Sequence, residues 1–500
     1  MKKIYALFLS AISFNAFSQQ EFSSFCNTGH GGATTFATDY QATGINPSNL
    51  GWLPKYPDKK VTMGFMEFTG SVYSDSLRKD NLRNSIVGLV TGNNSTLTYS
   101  QKIQAVSNFT QSGFTMNADM GSFGIALSTR LAGGFAFRIN DHFQWYSKLG
   151  SQASNLIFLG NTSSLFDHLV INVGTGSSAT TQTITNHPNL SPDTAAMVIK
   201  GTSNAPLMLS KILEGSRMTL TWYRDYNLSY GRKIVGNDSV FAVYGGIGIK
   251  YIQGMAMLDI KSEKDANGND HLTGFSSLSP AFGVNYGAAQ AQANQVLGSG
   301  FPPKSVGSGF GFDFGASMII KGKLKIGASI INIGSINWTG NVYQLKDTLM
   351  VSLSASGVQN FNLFSQLKNM LGPNGMFKVT GQQTYQTQLP GMVRAGASML
   401  LGRKAEVGVD FIIPTNTTIP GSYTNPIIGL GGDFMPVKWL KLQGGFITGG
   451  NYPFQIPMGI IFVGNGGAYE AGIASRDAIT FFTQKGPTIS LSTGFIRMRF

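Results

Sequence analysis

The stretch MTLTWYRDYNLSY, residues 218–230, constrains the fold more than any other part of the chain. Met218, Leu220, Trp222, Tyr226, Leu228 and Tyr230 share one parity, and Thr219, Thr221, Asp225, Asn227 and Ser229 the other. That is a strand with one apolar and one polar face, broken by Arg224 on the first and Tyr223 on the second. Beyond the turn residues Gly236-Asn237-Asp238 a second run aligns Phe241, Val243, Ile247, Ile249 and Tyr251. The segment GFGFDFGASMIIKGKLKIGASI, residues 309–330, repeats the pattern through a turn near Lys321-Gly322, with Phe310, Phe312, Phe314, Met318, Ile320, Leu324, Ile326 and Ile330 on one parity. An internal echo between Gly315 and Gly396 (GASMIIKGKLKIG and GASMLLGRKAEVG) reads as repeated hairpins of one sheet.

Strands of this kind bury their apolar face against a second sheet, or in lipid as a closed barrel whose backbone groups are all paired. Runs well beyond the usual strand of roughly 5 to 6 residues select the barrel. So do aromatic residues near the run ends, namely Trp222, Tyr230, Trp338, Trp439 and Tyr469. Other strands are expected at 60–74, 113–120, 122–138, 404–413, 424–434, 437–448, 454–463, 468–481 and 487–500. With further ones near 143–160 and 169–175, the total reaches about 14, an even number as single-chain barrels prefer. The expected class is therefore all-β, a transmembrane antiparallel β-barrel. Partly helical insertions are expected in its loops at 76–90, 206–215 and 361–373. The 63 glycines and the 12% of charged residues agree with that class.

Residues 1–18 read as a cleaved signal peptide, because Lys2 and Lys3 precede the apolar run Ile4–Phe14 and small residues at Ala16 and Ser18. Past it no run of about 18 apolar residues occurs, so an ordinary transmembrane helix is excluded, whereas spanning strands are not. The formal charge of +13 falls to 13 − 2 = +11 without Lys2 and Lys3. Such a charge fits anionic lipid or polysaccharide, and no Lys/Arg cluster marks a nucleic-acid surface. Cys26 is the single cysteine and lacks the small residue before it that lipidation needs, which leaves a free thiol.

A barrel this wide holds a water-filled hole unless something fills it. Residues 19–59 are expected to be that plug, ahead of a barrel at 60–500. Within it ATDYQATGINPSNLGW, residues 37–52, is expected to carry a helix that Pro47 ends, with Asn46 satisfying the freed backbone groups. Ala37, Asp39, Ala42, Asn46, Pro47, Leu50 and Gly51 resemble the N-terminal hatch motif of the long-chain fatty-acid transporter family of outer-membrane barrels. Ser48 stands where that family usually has alanine. The layout is similar, too, to uncharacterised barrels that accompany type 9 secretion and gliding machinery, with INIGSINW (residues 331–338) in keeping. The closing IRMRF, with Phe500 last, is similar to the assembly signal of Gram-negative outer-membrane barrels. The resemblance implies an outer-membrane protein whose lumen is plugged and whose ligand is a hydrophobic or amphipathic small molecule. The alternative it leaves open is an accessory subunit of a secretion or motility complex.

Catalytic chemistry is missing. His30, His142, His168, His187 and His271 show no metal-ligand spacing, and neither HExxH nor a nucleophile elbow occurs. Asp167-His168 beside Ser163-Ser164 reads as chance adjacency. DANGNDH, residues 265–271, begins like a calcium loop but has Asp270 where glycine is required, so it reads as a hairpin tip. No enzyme, metal or cofactor is expected. Charges on the inward parity, Asp313, Arg394, Asp410, Glu470, Arg476, Arg497 and Arg499, should line the lumen. They would anchor the plug or meet an anionic headgroup.

Overall fold

In the computed structural model, which describes residues 24–54, 56–74, 96–110, 113–129, 131–174, 179–237, 239–298, 300, 302–360, 363–373, 375–423, 425–450, 452–479 and 487–500, fourteen strands close into one antiparallel barrel. They are β1 Val61–Ser74, β2 Gly113–Thr129, β3 Gly133–Lys148, β4 Arg217–Asn237, β5 Phe241–Lys264, β6 Gly307–Ile320 and β7 Leu324–Trp338, followed by β8 Met392–Leu401, β9 Ala405–Pro414, β10 Ile427–Val437, β11 Leu440–Gly449, β12 Met458–Gly464, β13 Tyr469–Ser475 and β14 Thr488–Arg499. Each pairs with its chain neighbours, and β14 returns to β1 through Thr62↔Arg499 to Tyr73↔Thr488. The backbone of Phe500 exchanges both hydrogen bonds with Val61, completing the seam. The expected signal peptide and the 76–90 insertion lie outside the described residues.

An even strand number brings both ends of the barrel chain to one rim. There, too, lie the short turns at 131–132, 239–240, 321–323, 402–404, 438–439 and 465–468, while the long connections leave the opposite rim. Alternation sends aromatic and aliphatic residues outward along the wall: Phe310, Phe312, Phe314, Ile326, Ile330, Phe411, Leu430 and Ile460 are all exposed. Their partners in parity, such as Asp313, Ser317 and Asp410, are buried. No helix of the described residues is long and apolar enough to cross a membrane. A closed sheet with an apolar outer band needs none.

At the long-loop rim both faces of the wall are covered. Val72, Phe114, Met116, Met218 and Leu220 point outward yet are buried in a core. That core is shared with the helices Tyr99–Phe109, Ser151–Leu159 and Leu363–Leu371 and a small four-stranded sheet built from 168–173, 180–185, 198–202 and 352–353. Met218 and Leu220 therefore belong to this cap. The expected strand near 143–160 is the end of β3 followed by the helix Ser151–Leu159, and the one near 169–175 pairs within the small sheet. The insertion at 206–215 shrinks to the single turn Leu209–Ile212. Trp338 is also not a rim aromatic. It is fully buried on the inner side with Tyr223, Ile252, Ile336 and Leu389, because a bulge at Asn332 (φ 59°) flips the parity of the last third of β7.

Candidate functional site

Residues 24–52 lie almost wholly buried in the lumen as a chain of short turns. Pro47 starts the 3-10 turn Pro47–Gly51 instead of ending a helix. A proline at the first helical position loses no hydrogen bond, because its N–H would have had no partner there. Asn46 caps that turn, its Oδ1 accepting from Ser48 N (3.2 Å) and Ser48 Oγ (2.7 Å). Ahead of it Asp39–Ala42 forms another 3-10 turn, and Asn49 Nδ2 donates to the carbonyls of Thr34 and Ala37, both at 2.9 Å, folding the segment on itself.

The segment touches every strand of the barrel, and on each strand it meets at least one glycine. A Cβ on Gly64 or Gly124 would stand 2.0 Å or 2.3 Å from the Tyr40 side chain. On Gly134 it would meet Leu50 O at 2.2 Å, on Gly231 Pro47 O at 2.2 Å, on Gly246 Pro47 C at 2.3 Å and on Gly315 Asn46 Oδ1 at 2.1 Å. Gly327, Gly396 and Gly408 face Asn46, Thr34 and Phe36; Gly429, Gly431, Gly445 and Gly459 face the backbone of residues 29–31; Gly472 and Gly494 face the Phe25 ring. Many are direct partners across the sheet: Gly64↔Gly124, Gly134↔Gly231, Gly231↔Gly246, Gly246↔Gly315, Gly327↔Gly396, Gly408↔Gly431 and Gly472↔Gly494. This girdle lets the segment lie close against the wall, and it takes up 15 of the 63 glycines.

Charged side chains clamp the same segment. Asp410 Oδ2 accepts from the backbone N–H of Ala33 (2.9 Å) and Thr34 (3.1 Å) and pairs with Arg394 at 3.2 Å, while Arg394 Nε donates to Thr34 Oγ1. Arg497 spans Asp39 and Glu470, both at 2.6 Å, and Arg499 adds a contact to Glu470 at 3.0 Å. Of the inward charges expected from sequence, Arg394, Asp410, Glu470, Arg497 and Arg499 thus meet at the segment. Asp313 and Arg476 instead bond within the wall. Asp313 pairs with Lys250 (3.0 Å) and accepts from Asn332 N (2.8 Å), and Asn332 Nδ2 donates to Pro390 O where the wall breaks between 385–388 and β8. Arg476 donates to Gln455, and its backbone N–H to Ser490 Oγ.

Alternation also left charges unnamed. Glu67 accepts from Tyr40 Oη (2.6 Å) and Gln41 Nε2 (2.7 Å) and pairs with Arg138 at 3.0 Å, all four groups buried. At Met66, whose φ is positive, the buried parity of β1 changes, which hides Glu67 from a simple count. His142 lies between Asp119 (2.5 Å) and Asp225 (3.5 Å) on neighbouring strands, a placement that follows from sheet register and not from spacing along the chain. Leu50 and Gly51 complete the last turn, where a Cβ on Gly51 would stand 2.7 Å from the Arg232 backbone. Cys26 is a buried free thiol beside Arg497.

Asp167 accepts from Asn204 N and Ser203 Oγ, Ser163 donates to Asn155, and the His168 ring meets Asn204 Nδ2 at 3.1 Å, so these residues bond within their loops. In the 265–271 segment Asp265 Oδ1 accepts from the backbone of Asn267 and Asn269, the arrangement of a closed hairpin tip.

On the short-turn side of the segment opens a cavity of about 570 Å³. Trp52, Leu53, Tyr244, Ile319, Leu400 and Met435 supply apolar lining, and Lys325, Lys441, Arg497 and Arg499 stand beside Glu406, Asp433 and Glu470. Trp52 packs with Tyr244 and Ile319 and donates from Nε1 to Ser317 Oγ at 2.9 Å. A separate pocket of about 20 Å³ lies toward the long loops against residues 419–423. Tyr423 there joins Tyr40, Ala42 and Ile45 in one apolar cluster.

The structure is similar to a Pseudomonas putida toluene transporter, TodX (TM-score 0.41, 10% identity, covering 96% of this chain and 98% of that one). It is similar to a Pseudomonas aeruginosa FadL homologue (0.38, 11%, 96% and 97%). It also resembles the translocator domain of the Neisseria meningitidis autotransporter NalP (0.29, 10%, 90% and 91%). No curated protein matches the sequence. Residues 172–448 match the model of a family of unknown function, DUF5723, and because that stretch covers more than half of the 500 residues, the chain belongs to that family.

Proposed function

We propose that the chain is an outer-membrane barrel that binds and passes a hydrophobic or amphipathic small molecule, with the N-terminal segment as the plug that closes the lumen at rest. Residues 1–18 would direct export, and residues 19–59 would be the plug domain. The short-turn rim faces the periplasm in this reading, as in outer-membrane barrels generally. The observation that carries it is the cavity of about 570 Å³ against the segment, where an apolar floor of Trp52, Tyr244 and Ile319 adjoins paired charges. Its size lies within the roughly 300–1,000 Å³ of small-molecule sites.

A second reading, an accessory subunit of an outer-membrane secretion or motility complex, is favoured by one feature. Leu207, Met208, Leu349 and Val351 stand exposed together on the cap, where Met208 and Leu349 bridge. Native mass spectrometry of the protein released from outer membranes in mild detergent separates the two. Small apolar adducts that fall away in an Ile319→Trp variant, which narrows the cavity, support binding and passage. A stable heteromeric assembly without adducts replaces that reading with the subunit.

A further inference from the structure

The β9–β10 connection, residues 415–423, does not stay at the rim where it begins. Its Tyr423 is 2% exposed and packs in one cluster with Tyr40, Ala42 and Ile45 of the lumenal segment. Its earlier part meets the opposite wall. Arg217, at the rim end of β4, donates to the backbone carbonyls of Thr417 (3.1 Å) and Thr418. Gly421 comes so near β3 and β4 that a Cβ on it would stand 2.3 Å from Gln144 Oε1 and 3.1 Å from Thr221 Oγ1. Between β4 and β9 lie the four strands β5–β8, and between β10 and β2 the five strands β11–β14 and β1. The connection therefore crosses the bore from one side to the other.

The crossing piece is stiff. Pro414 closes β9, Pro420 is buried in mid-connection and Pro426 precedes β10, and each fixes its own φ. Bonds within the piece, from Thr418 N and Oγ1 to Asn416 Oδ1 and from Ser422 N to Ile419 O, travel with it if it moves. Its seat on the far wall is imperfectly bonded. Gln144 Oε1 and Thr221 Oγ1 are buried there without a hydrogen-bond partner among the described residues, beside the pocket of about 20 Å³. Lifting the connection returns both oxygens to water, which offsets part of the packing lost at Tyr423.

We infer that residues 415–423 are a lid over the long-loop side of the lumenal segment, latched by Arg217, and that it lifts to admit a small molecule to the segment from that side. The inference rests on the reading above that a small molecule passes the lumen. Tyr423 is seated on the segment itself, so a chain without residues 24–52 has no closed lid.

Thiol labelling of the segment in the full chain tests this. In Cys26→Ser protein held in mild detergent, Ile45→Cys probes the cluster under Tyr423, and Thr38→Cys, on the lining of the short-turn cavity, is the reference. The reagent is a water-soluble methanethiosulfonate, and heat-modifiability verifies that each barrel is folded. The account expects slow labelling of Ile45→Cys that quickens at least roughly tenfold with Arg217→Gln, the effect of about one hydrogen bond to a charged group. Arg217→Lys, which keeps a charged donor, quickens it less. Gly421→Ala, whose Cβ crowds Gln144, quickens it from the lid's own side, while Thr38→Cys keeps its rate throughout. A rate at Ile45→Cys that neither Arg217→Gln nor Gly421→Ala changes overturns the lid. So does an equal change at Thr38→Cys, which would mark a general loosening of the segment. Failure of the transport reading has its own signature: the native mass spectrum of the parent shows no small apolar adducts. A labelling rate that still follows Arg217 then describes a movable cover with no ligand to admit, and the inferred role is overturned.

Discussion

A methyl group on Gly429 would stand 1.8 Å from the carbonyl oxygen of Gly31, whereas one on Gly444, a strand away, would meet nothing within 4 Å. The two positions have similar local sequence, so they separate the girdle from general strand propensity. Gly429→Ala is expected to lower stability by about 1–3 kcal/mol through overpacking, while Gly444→Ala stays within about 0.5 kcal/mol of the parent or gains. Urea unfolding from lipid, followed by the heat-modifiable shift of folded barrels, checks both. Equal effects would mean the glycines act on the sheet and not on the lumenal segment. The girdle was half visible in the sequence. The 63 glycines stood out, yet glycine has no side chain to betray the face it occupies, so parity could not place it. Asn46 and Pro47 were legible as a stop in the chain, but proline starts turns as well as ending helices, and only the folded arrangement decides between them.

Elements with strict alternation were the easiest to read. The hairpin expected at 309–330 is β6 and β7, extended at both ends. The hairpin of β2 and β3 was misdivided because a bulge between Gly121 and Phe123 breaks the parity in mid-strand, and the true turn carries Leu131 and Ala132, which are poor turn signals. The cap was the least legible element, since its helices are short and its sheet is assembled from distant loops. Within it Lys102 is buried on the helix Tyr99–Phe109 and donates to Ser356 O at 2.7 Å. Loss of water pulls its ammonium down to about 8 from an ordinary 10.5. An opened cap keeps that proton up to about pH 10.5, and the closed cap releases it from about pH 8. The closed form therefore gains stability as pH rises between those values. Hydrogen exchange of residues 99–109, corrected for intrinsic rate, should slow across this window and be flat in Lys102→Met. A flat profile in the parent would show that Lys102 stays charged and hydrated.

For the whole molecule, closure of the barrel and filling of its lumen are one problem. A closed sheet of fourteen strands satisfies its backbone and turns an apolar band outward, but encloses more space than its own side chains fill. Residues 24–52 occupy that space by contact with every strand, and the Arg497–Asp39 ion pair with hydrogen bonds to Asp410 and Glu67 holds them. Buried pairs of this kind fix position more than they add stability. The proposed role of this segment is to keep the lumen shut, and single-channel recording in planar bilayers tests that role. The parent protein is expected to be silent, and a variant lacking residues 24–52, shown by heat-modifiability to have a folded barrel, should give steady open-pore conductance. Unchanged silence in that folded variant would contradict the account, since some other part of the chain would then close the pore.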